Sequence, residues 1–129
     1  MKLMIVDDHA ATRSLIREMI GHFADTILEC ASGEEAALRC AEFQPDLVTM
    51  DLNMRMTDGL ETTRQILAQY PHSRVIVITQ CDTPASRAAA MRAGACHFFA
   101  KDNLSRLLQH LQRSQAGRGT GDRPPATIL

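Results

Sequence analysis

Three carboxylates, a hydroxyl and an amine stand in this chain where strands ought to end. Asp7 and Asp8 follow Leu3-Met4-Ile5-Val6, and Asp51 follows Leu47-Val48-Thr49-Met50. Thr79 follows Val75-Ile76-Val77-Ile78, and Lys101 follows Cys96-His97-Phe98-Phe99-Ala100. Short apolar runs that close on a polar residue read as buried strands, each delivering one group to the carboxyl edge of a sheet. In an open parallel sheet, ligands and chemistry collect along that edge. Carboxylates gathered there repel one another and resist ionisation unless a cation sits among them. Asp side chains, a main-chain carbonyl and water suit a hard ion such as Mg2+, which commonly works beside phosphate. Lys101 and Thr79 could then hold two oxygens of a phosphoryl group placed on Asp51. A carboxylate that attacks phosphorus forms an acyl phosphate, a known kind of covalent catalysis. Metal and lysine would neutralise the charge that develops on the phosphoryl oxygens.

These groups meet only if the strands lie side by side. Strands are predicted at Leu3–Val6, Thr26–Cys30, Leu47–Met50, Val75–Ile78 and His97–Ala100. Between and after them, apolar residues recur at helical spacing: Ala11, Leu15, Met19 and Phe23; Ala36, Ala37 and Cys40; Leu60, Ile66, Leu67 and Tyr70; Ala85, Ala88, Ala89 and Met91; Leu104, Leu107, Leu108 and Leu111. Ser32 with Glu35 three residues on reads as a capping box, Gly94 as a helix stop, and Pro45 and Pro71 as breaks before strands. Strict alternation of strand and helix predicts an α/β fold, a doubly wound five-stranded parallel sheet with helices on both faces. From Gln115 the composition turns to Gly, Arg and Pro. The expected organisation is one domain over residues 1–114 and a flexible linker or C-terminal tail over 115–129.

Composition bounds the function classes. A chain of 129 residues with 45% hydrophobic and 22% charged content suits one globular domain. No apolar stretch approaches the roughly 18 residues of a membrane span, and Asp7 and Asp8 interrupt the N-terminal apolar run that a signal peptide would need. Cys30, Cys40, Cys81 and Cys96 form no CxxC pair, so reduced thiols in a cytoplasmic protein are expected and a zinc site is not. A net charge of −1 argues against a dedicated nucleic-acid binder. The charge is unevenly spread: residues 1–73 carry six Lys/Arg against twelve Asp/Glu, and residues 74–129 carry eight against three.

On these motifs the chain resembles the receiver domains of two-component response regulators over residues 2 to 114. The paired acids Asp7 and Asp8, then Asp51, Thr79 and Lys101, match that family in order, and Phe98 falls on its aromatic switch position. The resemblance implies a flavodoxin-like (βα)5 fold with strand order 2-1-3-4-5. It implies that Asp51 is phosphorylated with Mg2+ from a sensor histidine kinase or phosphotransfer protein, or from small phosphodonors. Asp8 and Asp51 would bind the metal directly, the Asn53 carbonyl would add a ligand, and Asp7 would act mainly through water. Thr79 and Phe98 would pass the change to a surface formed by the fourth helix, fifth strand and fifth helix, which could also serve a homodimer. The segments Val6-Asp7-Asp8-His9 and Ala93-Gly94-Ala95 are most similar to receivers whose output is a helix-turn-helix domain. Whether such a domain follows Leu129 separates a transcription regulator from a single-domain relay.

Three positions depart from the family pattern. Arg55 stands where receivers usually have proline, Gln80 stands where a small residue is usual, and Asp102 replaces a proline that often follows the lysine, so a cis peptide is not required there. Two rival functions share parts of this pattern. An aspartate-based phosphatase needs an acid two residues after its nucleophile, but that position is Asn53. A constitutive interaction module that no longer takes phosphate would have lost an acid or the lysine, and none is lost. His9, His97 and Cys81, with no ligand partners in the sequence pattern, read as ordinary structural residues.

Overall fold

The computed structural model describes residues 1–118, with side chains described through 114. Strands run β1 Lys2–Val6, β2 Thr26–Cys30, β3 Leu47–Met50, β4 Arg74–Thr79 and β5 His97–Ala100. Helices run α1 Ala10–Ile20, α2 Gly33–Phe43, α3 Gly59–Gln69, α4 Pro84–Arg92 and α5 Leu104–Arg118. Single 3-10 turns occupy Gly21–Phe23 and Lys101–Asn103. All pairings are parallel, as the strand–helix alternation predicts, in the order β2-β1-β3-β4-β5, the flavodoxin-like topology that the receiver resemblance implies. Helix α5 passes the expected domain end at 114; residues 119–129, most of the expected tail, lie outside the described residues.

The central strands are buried on both faces, which is why they read as continuous apolar runs. Alternate residues serve opposite cores. Leu3, Ile5, Leu47, Ile76 and Ile78 face α1 and α5, packing on Ile16, Ile20, Leu104, Leu107 and Leu111. Met4, Val6, Val48, Met50 and Val75 face α2 and α3, packing on Ala36, Cys40 and Ile66. A smaller cluster of Val77, Ala90, Ala95 and Phe98 seats α4.

Local signals are mostly used as expected. Ser32 Oγ accepts the Glu35 N–H, while the Glu35 carboxylate reaches the Ala31 N–H rather than that of Ser32, one residue beyond a simple capping box. Asp58 caps α3 by accepting from Leu60 and Glu61 N–H, and Thr83 caps α4 ahead of Pro84. Gly94 ends α4 with φ 109°, a left-handed backbone that favours glycine. All four cysteines are free thiols. Burial pushes the Cys30 thiol up to about 12, so this thiol stays protonated and unreactive.

Two helical stripes differ from the sequence reading. On α1 the buried pair is Ile16 and Ile20, and Leu15 is 46% exposed. On α4, Ala85, Ala88 and Met91 face solvent, and Ala90 together with Ala93 beyond the helix meets the core. A helix with four alanines among its nine residues offers several nearly equal faces, so its rotation is set by the shape of the sheet beneath it.

Candidate functional site

Strand register builds the site. Val6 pairs with Met50 and Thr79 with Ala100, so the next residues, Asp7, Asp51 and Lys101, leave the sheet beside one another. The ladder continues one step past the strands: Asp7 N–H donates to the Cys30 carbonyl and Asp51 N–H to the Val6 carbonyl, each at 3.1 Å. Both carboxylates are buried, Asp7 at 1% and Asp51 at 2% exposure.

Lys101 is the cation that makes this burial tolerable. Its Nζ lies 2.8 Å from Asp7 Oδ2 and 3.1 Å from Asp51 Oδ2. The contact to Asp51 is a hydrogen bond. That to Asp7 is a close ion pair off the hydrogen-bond line, which leaves Asp7 Oδ2 without a well-directed donor. Burial alone would lower the Lys101 pKa, but pairing with Asp7 and Asp51 outweighs it and holds the ammonium above its ordinary range.

The loop after β3 closes around the other oxygens. Asn53 N–H donates to Asp51 Oδ1 at 3.1 Å, and Arg55 N–H donates to Asp8 Oδ2 at 2.9 Å. That main-chain hydrogen bond is the largest influence on Asp8 and holds its carboxyl below the usual range against the opposing effect of burial. The Asn53 side-chain amide donates to Thr79 Oγ1 at 3.3 Å, as does Cys81 N–H at 3.3 Å. An isolated bridge between Asn53 and Asp58 ties the loop ends together.

Gly59 sets how close that loop can come. A Cβ placed there would lie 2.3 Å from the Asp51 carbonyl oxygen and 2.9 Å from Leu52 Cα, both main-chain atoms that cannot swing aside. Gly59→Ala should therefore cost about 1–3 kcal/mol and displace the Asp51 main chain. Denaturant unfolding measures the first and the amide shift of Asp51 the second; a variant matching the wild type in both would contradict this packing.

Oxygens of Asp7, Asp8 and Asp51, with a ring nitrogen of His9, lie within 4.8 Å of one another. Asp7 Oδ2 and Asp8 Oδ1 are buried without hydrogen-bond partners, so two anionic oxygens point into the cluster with ligand capacity to spare. Hard oxygen donors in that state fit a divalent cation such as Mg2+. His9 joins the cluster where the sequence suggested no partner: its Nδ1 is 3.0 Å from Asp8 Oδ1. Adjacency to Asp8 was the available signal.

Phe98 is 8% exposed and packs in the cluster with Val77, Ala90 and Ala95. The Arg87 guanidinium stands 4.8 Å from its ring centroid and is itself paired to Asp82 at 2.9 Å. The described residues contain no cis peptide, and the bond from Lys101 to Asp102 is trans. A cleft of about 430 Å³ opens beside Lys101, lined by Leu15, Gln80, Asp102 and Leu104 among others.

Comparison with known proteins places this geometry in a family. Residues 3–112 match the family described as response regulator receiver domain. The response regulator GacA of Pseudomonas syringae is 31% identical over 120 residues, covering 91% of this chain and 56% of that protein. The chain thus spans just over half the length of GacA. The chemotaxis protein CheY of Listeria monocytogenes is 32% identical over 116 residues, covering 88% of this chain and 98% of CheY. Among solved structures, a LuxR-family two-component response regulator from Aurantimonas is similar with a TM-score of 0.79 and 30% identity, covering 90% of this chain and 85% of that one. With the sheet order, the acid cluster and these relatives in agreement, the chain belongs to the receiver domains of two-component response regulators.

Proposed function

We propose that this receiver is a phosphorylation-driven signalling switch in which Asp51 accepts a phosphoryl group from a sensor histidine kinase or phosphotransfer protein. The observation that carries this reading is the buried Asp51 carboxylate held between Lys101 and the Asn53 N–H. An Asp51 oxygen attacks phosphorus as the bond to the donor breaks, which leaves an acyl phosphate and the freed donor. Lys101 stabilises the added charge, and Thr79, whose hydroxyl holds only two long hydrogen bonds, is positioned to turn toward a phosphoryl oxygen. Mg2+ held by Asp8, Asp51 and the Asn53 carbonyl, with Asp7 behind them, would supply positive charge to the same oxygens. Leu15, exposed at the rim of the cleft beside Lys101, offers an apolar contact for a donor protein.

The domain turns over no external substrate in this reading. The Asn53 amide cannot serve as a general acid or base, and its N–H is spent on Thr79. Gln80 is exposed at the wall of the cleft where water would approach a phosphoryl group. Gln80→Ala should speed loss of the phosphoryl group several-fold, followed by the decay of intact phosphoprotein mass. An unchanged or slower decay would show that Gln80 does not shield it.

Readout runs through Phe98 and the α4-β5-α5 surface, which carries Arg87, Arg92 and Arg106 and could meet a second receiver or an output domain. A cytoplasmic setting suits the free thiols, and no helix among the described residues is long and apolar enough to cross a membrane. Beryllofluoride, a phosphoryl mimic, should shift amide signals over residues 79–106 more than those of α2 and α3. Shifts confined to the neighbourhood of Asp51 would mean that the site and the surface are uncoupled.

A further inference from the structure

Asp8 reaches across from the β1 end to the β3–α3 loop, which grips it through Arg55. Its Oδ2 accepts the Arg55 N–H at 2.9 Å, and Arg55 Nε lies 4.0 Å from the same oxygen. The other oxygen, Oδ1, is buried with no directed hydrogen bond, and only His9 Nδ1 approaches it, at 3.0 Å. One residue thus acts on one metal-facing carboxylate twice, through a main-chain donor and through a positive side chain.

From this geometry we infer that Arg55 is a positioning residue that restrains the metal affinity of the site, occupying Asp8 Oδ2 and leaving Oδ1 to face the ion. The inference rests on reading the acid cluster as a Mg2+ site. Its physical basis is charge and lone pairs. Asp7, Asp8 and Asp51 bring three negative charges, and Lys101 already offsets one. Arg55, 4.0 Å from Asp8 on the solvent side, adds a weaker partial offset, so an incoming dication meets less net attraction than it would without that side chain. The N–H also withdraws electron density from Oδ2 and fixes the carboxylate plane. Because the Arg55 side chain is 88% exposed, solvent and salt screen its contribution and the effect is modest.

The test is direct Mg2+ binding to the 129-residue chain, by calorimetry or by amide shifts of residues 7, 8 and 51. Arg55→Ala keeps the N–H and removes the charge; it should bind Mg2+ about threefold more tightly at low ionic strength, and the gap should shrink as salt is added. Arg55→Glu should bind about tenfold more tightly. Arg55→Pro removes both charge and N–H, and should exceed Arg55→Ala. Wild-type affinity in Arg55→Ala and Arg55→Glu, with saturable binding in all, would overturn the inference while leaving the metal site intact. Failure of the wild type and every variant to bind would overturn the metal reading and the inference together. Arg55→Pro no tighter than Arg55→Ala would remove the N–H from the account.

Discussion

Acetyl phosphate and Mg2+ should add one phosphoryl mass to the wild-type chain and none to Asp51→Asn. The carboxylate is the nucleophile, and an amide at that position lacks both the charge and the basicity to displace a leaving group from phosphorus. The substitution is nearly isosteric, so the loss reads on chemistry rather than on packing. Asp51 is buried and held on both oxygens, by Lys101 on one and by the Asn53 N–H on the other. Asp7 and Asp8 are adjacent carboxylates and serve as internal controls. Intact mass with peptide mapping reports the modified residue. Persistent phosphorylation of Asp51→Asn, or mapping to Asp7 or Asp8, would sink the assignment.

Removing the cation should have the largest effect on stability. Lys101→Ala should destabilise the metal-free domain by about 3 kcal/mol, the scale for breaking a buried ion pair from one side. The lysine side chain is 11% exposed and lies close to two buried carboxylates. Without it, Asp7 and Asp51 are left buried beside each other with no compensating charge. Mg2+ should then stabilise Lys101→Ala more than the wild type, because the ion replaces some of the lost positive charge. Denaturant melts with and without Mg2+ measure both quantities. Equal stability of the two proteins in the absence of metal would show that the acids are compensated otherwise.

Much of this was legible in the sequence because the chemistry sits at strand ends, and buried parallel strands are unusually clear. β3 and β5 fall where their apolar runs fall; β1 and β4 extend over Lys2, Arg74 and Thr79 because ladder bonding is a main-chain property that ignores side-chain polarity. Asp7, Asp8, Asp51, Thr79 and Lys101 were found as side chains following such runs, and the structure gathers them at one edge. What escaped notice was carried by the backbone. The Arg55 N–H on Asp8 and the Asn53 N–H on Asp51 leave no trace in a pattern of side-chain types. The faces of α1 and α4 were misjudged for a related reason. Leu15 is as apolar as Ile16, and only the sheet beneath decides which one it accepts.

The continuation of the ladder past the strands has a mechanical consequence. Asp7 and Asp51 are held through main-chain bonds to Cys30 and Val6, so the floor of the pocket is stiff. Thr79 instead rests against two donors at 3.3 Å, one a side chain and one at the start of the β4–α4 connection. A load applied at Asp51 therefore meets unequal compliance on its two sides. The strand main chains resist, β4 included, and displacement is left to the Thr79 hydroxyl, the β4–α4 connection and the ring of Phe98. In the proposed switch, the direction of signal flow would follow the difference in compliance between these side chains and the main chain beneath them.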